Sequence, residues 1–340
     1  MLELRNITIA FRQGILRRTS RPVLDDVSLA LDKGEVLGII GDSGSGKTTI
    51  ARIAARLVNP DSGRVLIDGE DITGLSARGM ARYRSRLQLV FQSPEGALDP
   101  EMTLGESLRE ATAKSQARRK GIDAAIQDLC AEFGIKRELL SRYPMQVSGG
   151  EIQRVALSRA LVFDPDYIIL DEPTSMLDAS VQAHILTALV ERQKETGMGM
   201  ALITHDLDVI RAICTRLVVL DGGRVIADGD VDDVLSRPDG YIHRYVSDWD
   251  MLSKLSPYII EEDDGDEGRR RPLHQTWGGL VRFPREVLQD RRRIPQVHDT
   301  PRSVGDAPVR LHGRALHGRG DIRARRNRSA HDGACLRGPD

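Results

Sequence analysis

Residues 41–48 read Gly41-Asp42-Ser43-Gly44-Ser45-Gly46-Lys47-Thr48 and fit the pattern G-x-x-x-x-G-K-[ST]. Glycines at these positions let the backbone curl so that successive N–H groups face phosphate oxygens, helped by the start of a helix. Lys47 adds a point charge to the β- and γ-phosphates, and Thr48 offers a hydroxyl to Mg²⁺. Thr49, next along the helix start, is placed to support the phosphate contacts. A Gly-rich turn capping a purely structural helix is the alternative. The apolar strand before the loop and the helical pattern after it weigh against that alternative.

Asp171 and Glu172 follow the apolar run Tyr167–Leu170. Adjacent carboxylates at the edge of a buried sheet are costly unless they meet a cation or handle a proton. The physical assignment gives Asp171 to Mg²⁺ through water and Glu172 to an attacking water as general base. Taken alone, such a pair also reads as a helix cap or a solvated turn.

Ser148-Gly149-Gly150-Glu151 has two readings. It is a capping box, with Ser148 as N-cap and Glu151 three residues on, ahead of a helix carrying Ile152, Val155, Ala156 and Ala160. A Ser hydroxyl beside two Gly N–H groups at a helix N-terminus is equally an anion site. That site becomes useful when presented to a γ-phosphate held by another subunit.

The elements that position these residues follow from pattern. Leu2–Phe11, Val23–Leu31 and Val36–Ile40 read as β segments, with the basic stretch Gly14–Pro22 a loop between the first two. After the glycine-rich loop, Ile50, Ile53, Ala54 and Leu57 recur at helical spacing, up to the breakers Asn59-Pro60-Asp61-Ser62-Gly63. Arg64–Asp68 and Leu87–Phe91 read as strands. Residues 93–165 are mainly helical in pattern, interrupted by Pro94, Pro100 and Pro144, and form an inserted helical subdomain. Tyr167–Leu170 and Met200–Thr204 suit buried parallel strands that carry their chemistry at their C-terminal ends. Leu217–Leu220, Asp221-Gly222-Gly223 and Arg224–Ala227 spell a hairpin.

The 340 residues allow one large core or two domains. Lys plus Arg (49) balance Asp plus Glu (50), so no global field draws the chain to nucleic acid. Cys130, Cys214 and Cys335 lie far apart without metal-type spacing and suit a reducing cytosol. No apolar run approaches the ~20 residues that span a bilayer, and no signal-peptide pattern opens the chain. A membrane role must therefore come through a partner. Two regions emerge, 1–250 and a C-terminal extension 251–340. Beyond Tyr258 an acidic run, Glu261–Glu267, meets Arg269-Arg270-Arg271, and no lysine follows Lys254. That composition reads as a disordered tail, as an out-of-frame read of GC-rich DNA, or as an arginine contact with nucleic acid or lipid.

The ordered set of the glycine-rich loop, Gln92, Val147-Ser148-Gly149-Gly150-Glu151, Ile168–Glu172 and Ile203-Thr204-His205-Asp206 resembles the ATPases of ATP-binding cassette (ABC) systems over about residues 2–250. The resemblance implies an α/β P-loop NTPase fold of ABC type. Its core sheet is mostly parallel, with an antiparallel β subdomain and the inserted helical subdomain. It implies that Phe11 stacks on adenine and that Gln92 senses Mg²⁺ and relays to a transmembrane partner. It also implies that Met176-Leu177-Asp178 crosses to another subunit and that His205 contacts the γ-phosphate. ATP and Mg²⁺ are then the ligands, sandwiched between the loop of one subunit and the Ser148, Gly149 and Gly150 element of another. Val147 stands where Leu is common, Glu151 where Gln is usual and Met176 where Ala is common. None of these changes touches Lys47, Asp171, Glu172 or His205.

Val23–Ser28, Phe91-Gln92-Ser93-Pro94 continuing to Leu98-Asp99-Pro100, and Leu177–Ala183 are similar to the dipeptide/oligopeptide/nickel importer branch. Pro238-Asp239-Gly240-Tyr241-Ile242-His243 is a weak echo of that branch's tail. The branch implies a peripheral protein on the cytoplasmic face of the cell membrane. Its partners there are a second ATPase, identical or paralogous, two permeases and an extracytoplasmic solute-binding protein, with no direct nucleic-acid contact. The rival expectation is a soluble ABC ATPase serving a cytosolic enzyme complex or a nucleic-acid transaction. No tandem cassette or zinc-type cysteine insertion supports it.

Overall fold

The computed structural model of the chain describes residues 1–11, 22–175, 177–238 and 240–255. All of them lie in one compact unit that spans Met1–Pro295. Most of the loop Gly14–Pro22, Met176, Asp239, Cys335 and the arginine-rich extension from residue 256 fall outside the described residues.

Strand β1 (Leu2–Ile9) buries Leu2, Leu4, Ile7 and Ile9 and pairs antiparallel with β2 (Leu24–Leu31). The strand ends before Phe11 rather than including it. The all-buried run β3 (Val36–Gly41) leads through the glycine-rich loop into helix α1 (Lys47–Ala54). This helix stops earlier than the spacing predicts. Arg56 adopts a left-handed φ of 57°, and the N–H groups of Arg56 and Leu57 close onto the carbonyls of Ile53 and Arg52, both at 2.9 Å. These are the two bonds of a Schellman termination, here built on arginine where glycine is usual. Leu57 consequently leaves the buried stripe and stands exposed.

Strands β4 (Ser62–Ile67) and β5 (Glu70–Asp71) complete an antiparallel sheet of order β2-β1-β4-β5. A single turn, α2 (Ala77–Met80), precedes strand β6 (Leu87–Val90). Helices α3 (Leu104–Lys114), α4 (Ile122–Glu132) and α5 (Gly149–Leu161) follow, preceded by a short 3₁₀ turn that opens on Pro94 and joined by further 3₁₀ turns, one of which opens on Pro144. Strand β7 (Tyr167–Asp171), helix α6 (Ala179–Thr196), strand β8 (Gly199–Ile203) and helix α7 (Leu207–Ile213) rebuild the α/β alternation. Strands β9 (Arg216–Asp221) and β10 (Arg224–Asp230) form the expected hairpin, with Gly222 and Gly223 both at positive φ as a tight two-residue turn requires. Helices α8 (Val231–Leu235) and α9 (Gly240–Leu255) end the described chain, and α9 runs without a break past residue 250.

The second sheet has the order β10-β9-β3-β8-β7-β6 and is parallel throughout except at β10. Its inner strands β3, β7 and β8 are buried on both faces, so successive residues feed two different cores. Ile168, Leu170, Met200 and Leu202 join the core shared with the helices, including Val155 and Leu157 of α5. Tyr167, Ile169, Ala201 and Ile203 join the core shared with Leu2, Leu4 and Ile7 of the antiparallel sheet. Polar groups cannot survive inside such a sheet, so chemistry is confined to its ends.

Candidate active site

Strands β3, β8, β7 and β6 are adjacent and parallel, so their C-terminal ends lie in one row. In that row stand the glycine-rich loop after β3, His205 after β8, Asp171 and Glu172 at β7, and Gln92 after β6. A crevice beyond the carboxyl ends of parallel strands is the usual ligand position in open α/β sheets. Strand order alone therefore gathers residues that lie 164 positions apart in the chain, from Gly41 to His205.

The loop's glycines are required sterically at two points. A Cβ on Gly41 would lie 2.2 Å from the Leu220 carbonyl oxygen, and one on Gly46 would lie 2.4 Å from Leu24 Cδ2. Gly46 (φ 105°) is the N-cap of α1, with no capping side chain and no acidic residue in the first turn. The first N–H groups of that helix are thus left to an anion, as the helix dipole favours. Ser43 and Gly44 are exposed, whereas Ser45 is buried with an Oγ that makes no hydrogen bond. Lys47 Nζ donates to the carbonyls of Gly41 at 2.7 Å and Asp42 at 2.9 Å. Burial lowers its pKa, against the pull of the Glu172, Asp171 and Asp42 carboxylates. A half-buried ammonium, bare helical N–H groups and an unpaired hydroxyl in one loop fit a polyphosphate.

Asp171 is almost fully buried, and burial raises its pKa, while a hydrogen bond from Thr48 works the other way. The Thr48–Asp171 pair supplies hard oxygen donors of the kind Mg²⁺ takes, since that ion usually keeps several waters and phosphate oxygens beside one or two protein ligands. No cluster of three His, Cys, Asp or Glu residues suited to hold a metal lies among the described residues, in keeping with so sparse a set.

Glu172 sits in the left-handed region at φ 49°, with its N–H donating to the Ile203 carbonyl at 2.9 Å. This unusual conformation turns its side chain off the sheet edge toward two partners. Gln92 Nε2 donates to Oε2 at 2.6 Å, and His205 Nδ1 lies 3.5 Å from Oε1. A carboxylate so placed can take a proton from a water beside the loop's phosphate site. Asp206 N-caps α7 through the N–H groups of Asp208 and Val209, which fixes the backbone that carries His205.

Ser148, Gly149 and Gly150 do not join this row. They line a separate cavity of about 350 Å³ with Lys136, Leu177 and Asp178, and no residue of the glycine-rich loop contributes to it. The capping-box geometry is present: Ser148 N–H and Oγ–H donate to Glu151 Oε2 at 2.9 and 3.0 Å, and Glu151 N–H donates back to Ser148 Oγ at 3.4 Å. Ser148 is nonetheless exposed, so the cap does not hide the element. Asp178 N-caps α6 by accepting from Val181 N–H at 3.0 Å. Phe11 lies half exposed beyond β1, available to stack on a flat ligand.

One neighbour of the loop escapes motif reasoning. Tyr241, on α9, accepts a hydrogen bond from Asp42 N–H at 3.1 Å. The only trace of it in the sequence is the weak tail echo around Tyr241.

Comparison with known proteins shows which family the chain resembles. Residues 24–175 match the family described as ABC transporter. A putative peptide import ATP-binding protein of Brucella ovis is 38% identical over 231 residues, covering 65% of this chain and 70% of that protein. An oligopeptide transport ATP-binding protein, OppF of Streptococcus mutans, is 35% identical over 250 residues, covering 72% and 79%. Among solved structures, a dimeric ATP-binding cassette in a post-hydrolysis state with ADP and phosphate superposes with a TM-score of 0.62 at 29% identity. That match covers 68% of this chain and 99% of the other.

Proposed function

This chain belongs to the ATP-binding family of ABC transporters and is an ATPase of the importer type, and from that premise we propose how it works and what it serves. The observation that carries the proposal is the separation of two half-sites in one chain. Lys47, Thr48, Asp171, Glu172, Gln92 and His205 share one crevice, whereas the exposed Ser148 element lines another cavity. Each half is completed by a second ATPase subunit, identical or paralogous, so that two ATP molecules are held between the loop of one and Ser148, Gly149 and Gly150 of the other.

In each composite site Phe11 stacks on the adenine, and the loop amides of residues 41–49 with Lys47 orient the phosphates. Glu172 takes a proton from water as the water oxygen bonds to the γ-phosphorus and the bond to the ADP oxygen breaks. His205 steadies the γ-phosphate. Thr48, Asp171 and Gln92 would hold Mg²⁺, which would offset phosphate charge. Loss of the shared phosphate contacts then lets the two subunits part.

The catalytic unit covers about 1–250, with the helical subdomain at 93–165; the unbroken helix α9 carries it on to Leu255, so the extension drawn at 251–340 starts inside that helix. A groove of about 650 Å³, bounded by Met80, Tyr83 and Val90 on one side and Ala111, Ala156 and Phe163 on the other, suits a helix of a permease. No helix among the described residues is long and apolar enough to cross a membrane. On the importer reading, the chain attaches peripherally to the cytoplasmic face through two permeases fed by an extracytoplasmic solute-binding protein. The cargo on this reading is a peptide, nickel or a related small solute; relatives named for peptide import and oligopeptide transport support the peptide reading and favour an importer over a soluble ABC ATPase.

Purification of the tagged Glu172→Gln chain from its native host, with Mg-ATP and detergent-solubilised membranes, tests the proposal. Co-purification of multi-spanning permeases with a second ATPase is the expected result. Recovery of soluble enzymes or nucleic acid alone would overturn the transport role.

A further inference from the structure

Asp42 is gripped from two sides. Its carbonyl accepts from Lys47 Nζ at 2.9 Å, and its N–H donates to the Tyr241 hydroxyl at 3.1 Å. Tyr241 reaches the loop from the first turn of α9, 199 positions away. The ring is anchored on its other side. It stacks on Tyr245, one helical turn along, with centroids 6.3 Å apart and planes at 23°. Both tyrosines, with Val246 and Trp249, pack against the core shared by the sheet and the helices. The Arg244 guanidinium lies 5.9 Å from the Tyr241 ring centroid.

Burial raises the Tyr241 pKa to about 12, and its hydrogen bond with the Asp42 side chain adds to the shift. The hydroxyl therefore keeps its proton at neutral pH. It serves Asp42 as acceptor for the N–H. Nothing in the site chemistry derived above uses α9, yet the helix holds the second residue of the phosphate loop through a rigid, stacked side chain.

We propose that Tyr241 is a positioning residue of the phosphate loop, holding Asp42 so that the loop is preset for nucleotide and ATP affinity is coupled to the docking of α9. The inference rests on the reading of residues 41–48 as the ATP-binding loop. By reciprocity, nucleotide that favours the preset loop also favours docked α9. Tyr241 needs no contact with ATP, because it acts through the Asp42 peptide.

Tyr241→Phe removes the hydroxyl and keeps the ring, so the melting temperature should stay close to that of the wild type. Losing one hydrogen bond should raise the ATP Kd by about 2- to 10-fold, with kcat changed by less than about 2-fold. Amide hydrogen exchange at Asp42 in the nucleotide-free chain should become faster. Unchanged ATP affinity, with or without faster exchange, would overturn the proposal, as would an affinity loss explained by a fallen melting temperature. Should the variant fold poorly, exchange in the wild-type chain decides: ADP must slow exchange in residues 240–255, and no slowing refutes the coupling. Lys47→Ala separates the two layers. Normal ATP binding by that variant would remove the loop reading itself, whereas the Asp42 exchange reports the Tyr241 grip without nucleotide.

Discussion

Gln92 Nε2 donates to Glu172 Oε2 at 2.6 Å, tying together the C-terminal ends of the neighbouring strands β6 and β7. The bond joins the residue proposed to sense the metal to the residue proposed to activate water. A shift of Gln92 therefore acts directly on the Glu172 carboxylate. The carboxylate's other oxygen faces His205 at 3.5 Å, so the base is oriented from both sides.

Replacing Glu172 by Gln keeps a carbonyl that still accepts from Gln92 and removes only the proton acceptor. ATP binding, followed with a fluorescent nucleotide, should persist. Turnover, followed by phosphate release, should fall by about 10²- to 10⁴-fold. Turnover at the wild-type rate would remove Glu172 as base.

Asp171 illustrates a functional group that destabilises its own fold. Burial raises its folded pKa above that of the unfolded chain, near 3.9 for an aspartate, so the folded state binds the proton more tightly. The stabilisation tied to that proton is fully present below the unfolded value. It is lost as pH rises through the folded value, so the penalty builds between the unfolded and the folded value. Asp171→Asn should therefore raise the melting temperature of the nucleotide-free chain at pH 7, by an amount that shrinks toward pH 4, while abolishing the Mg²⁺ dependence of ATP binding. Equal melting temperatures at pH 7 would contradict the burial argument.

Much of this was legible in the sequence, for physical reasons. Apolar runs between breakers located β3, β7 and β8, because a strand buried on both faces tolerates little else. The glycines at 41 and 46 were readable because no side chain fits there. The end of α1 was not readable: Arg56 holds a left-handed conformation that its type rarely adopts, so Leu57 at perfect helical spacing is exposed. The positive φ of Glu172, at a residue whose N–H donates to the Ile203 carbonyl across the sheet, has no local sequence signal either. The Tyr241–Asp42 contact joins opposite ends of the unit, and no local pattern encodes it.

Glu151 completes a cap yet carries a charge beside the element proposed to meet a partner's phosphate. Glu151→Gln keeps the reciprocal bonds with Ser148 and deletes the charge. Stability should fall by only about 0.3–1 kcal/mol, from the lost interaction with the helix dipole. ATP-dependent association, measured by analytical ultracentrifugation with the Glu172→Gln background, should tighten. Weaker association would show that the carboxylate aids the composite site.

Gly41→Ala forces a Cβ against backbone, since the Leu220 carbonyl oxygen lies 2.2 Å from its position. Unlike a clash with a flexible side-chain tip, this one moves either the loop or strand β9. The variant should lose more than about 1 kcal/mol in denaturant unfolding and bind ATP severely less well. Wild-type stability with wild-type affinity would contradict the close approach.

The completion of each site by two subunits is tested most directly by mixing two inactive chains, Lys47→Ala and Ser148→Arg. In a mixed dimer one site inherits both defects, and the other combines an intact loop with an intact Ser148 element. Random pairing should restore ATPase activity to about a quarter of the wild-type rate, because half the dimers carry one working site of two. If the mixture stays as inactive as its components while the wild-type chain hydrolyses ATP under the same conditions, the two half-sites do not meet across subunits.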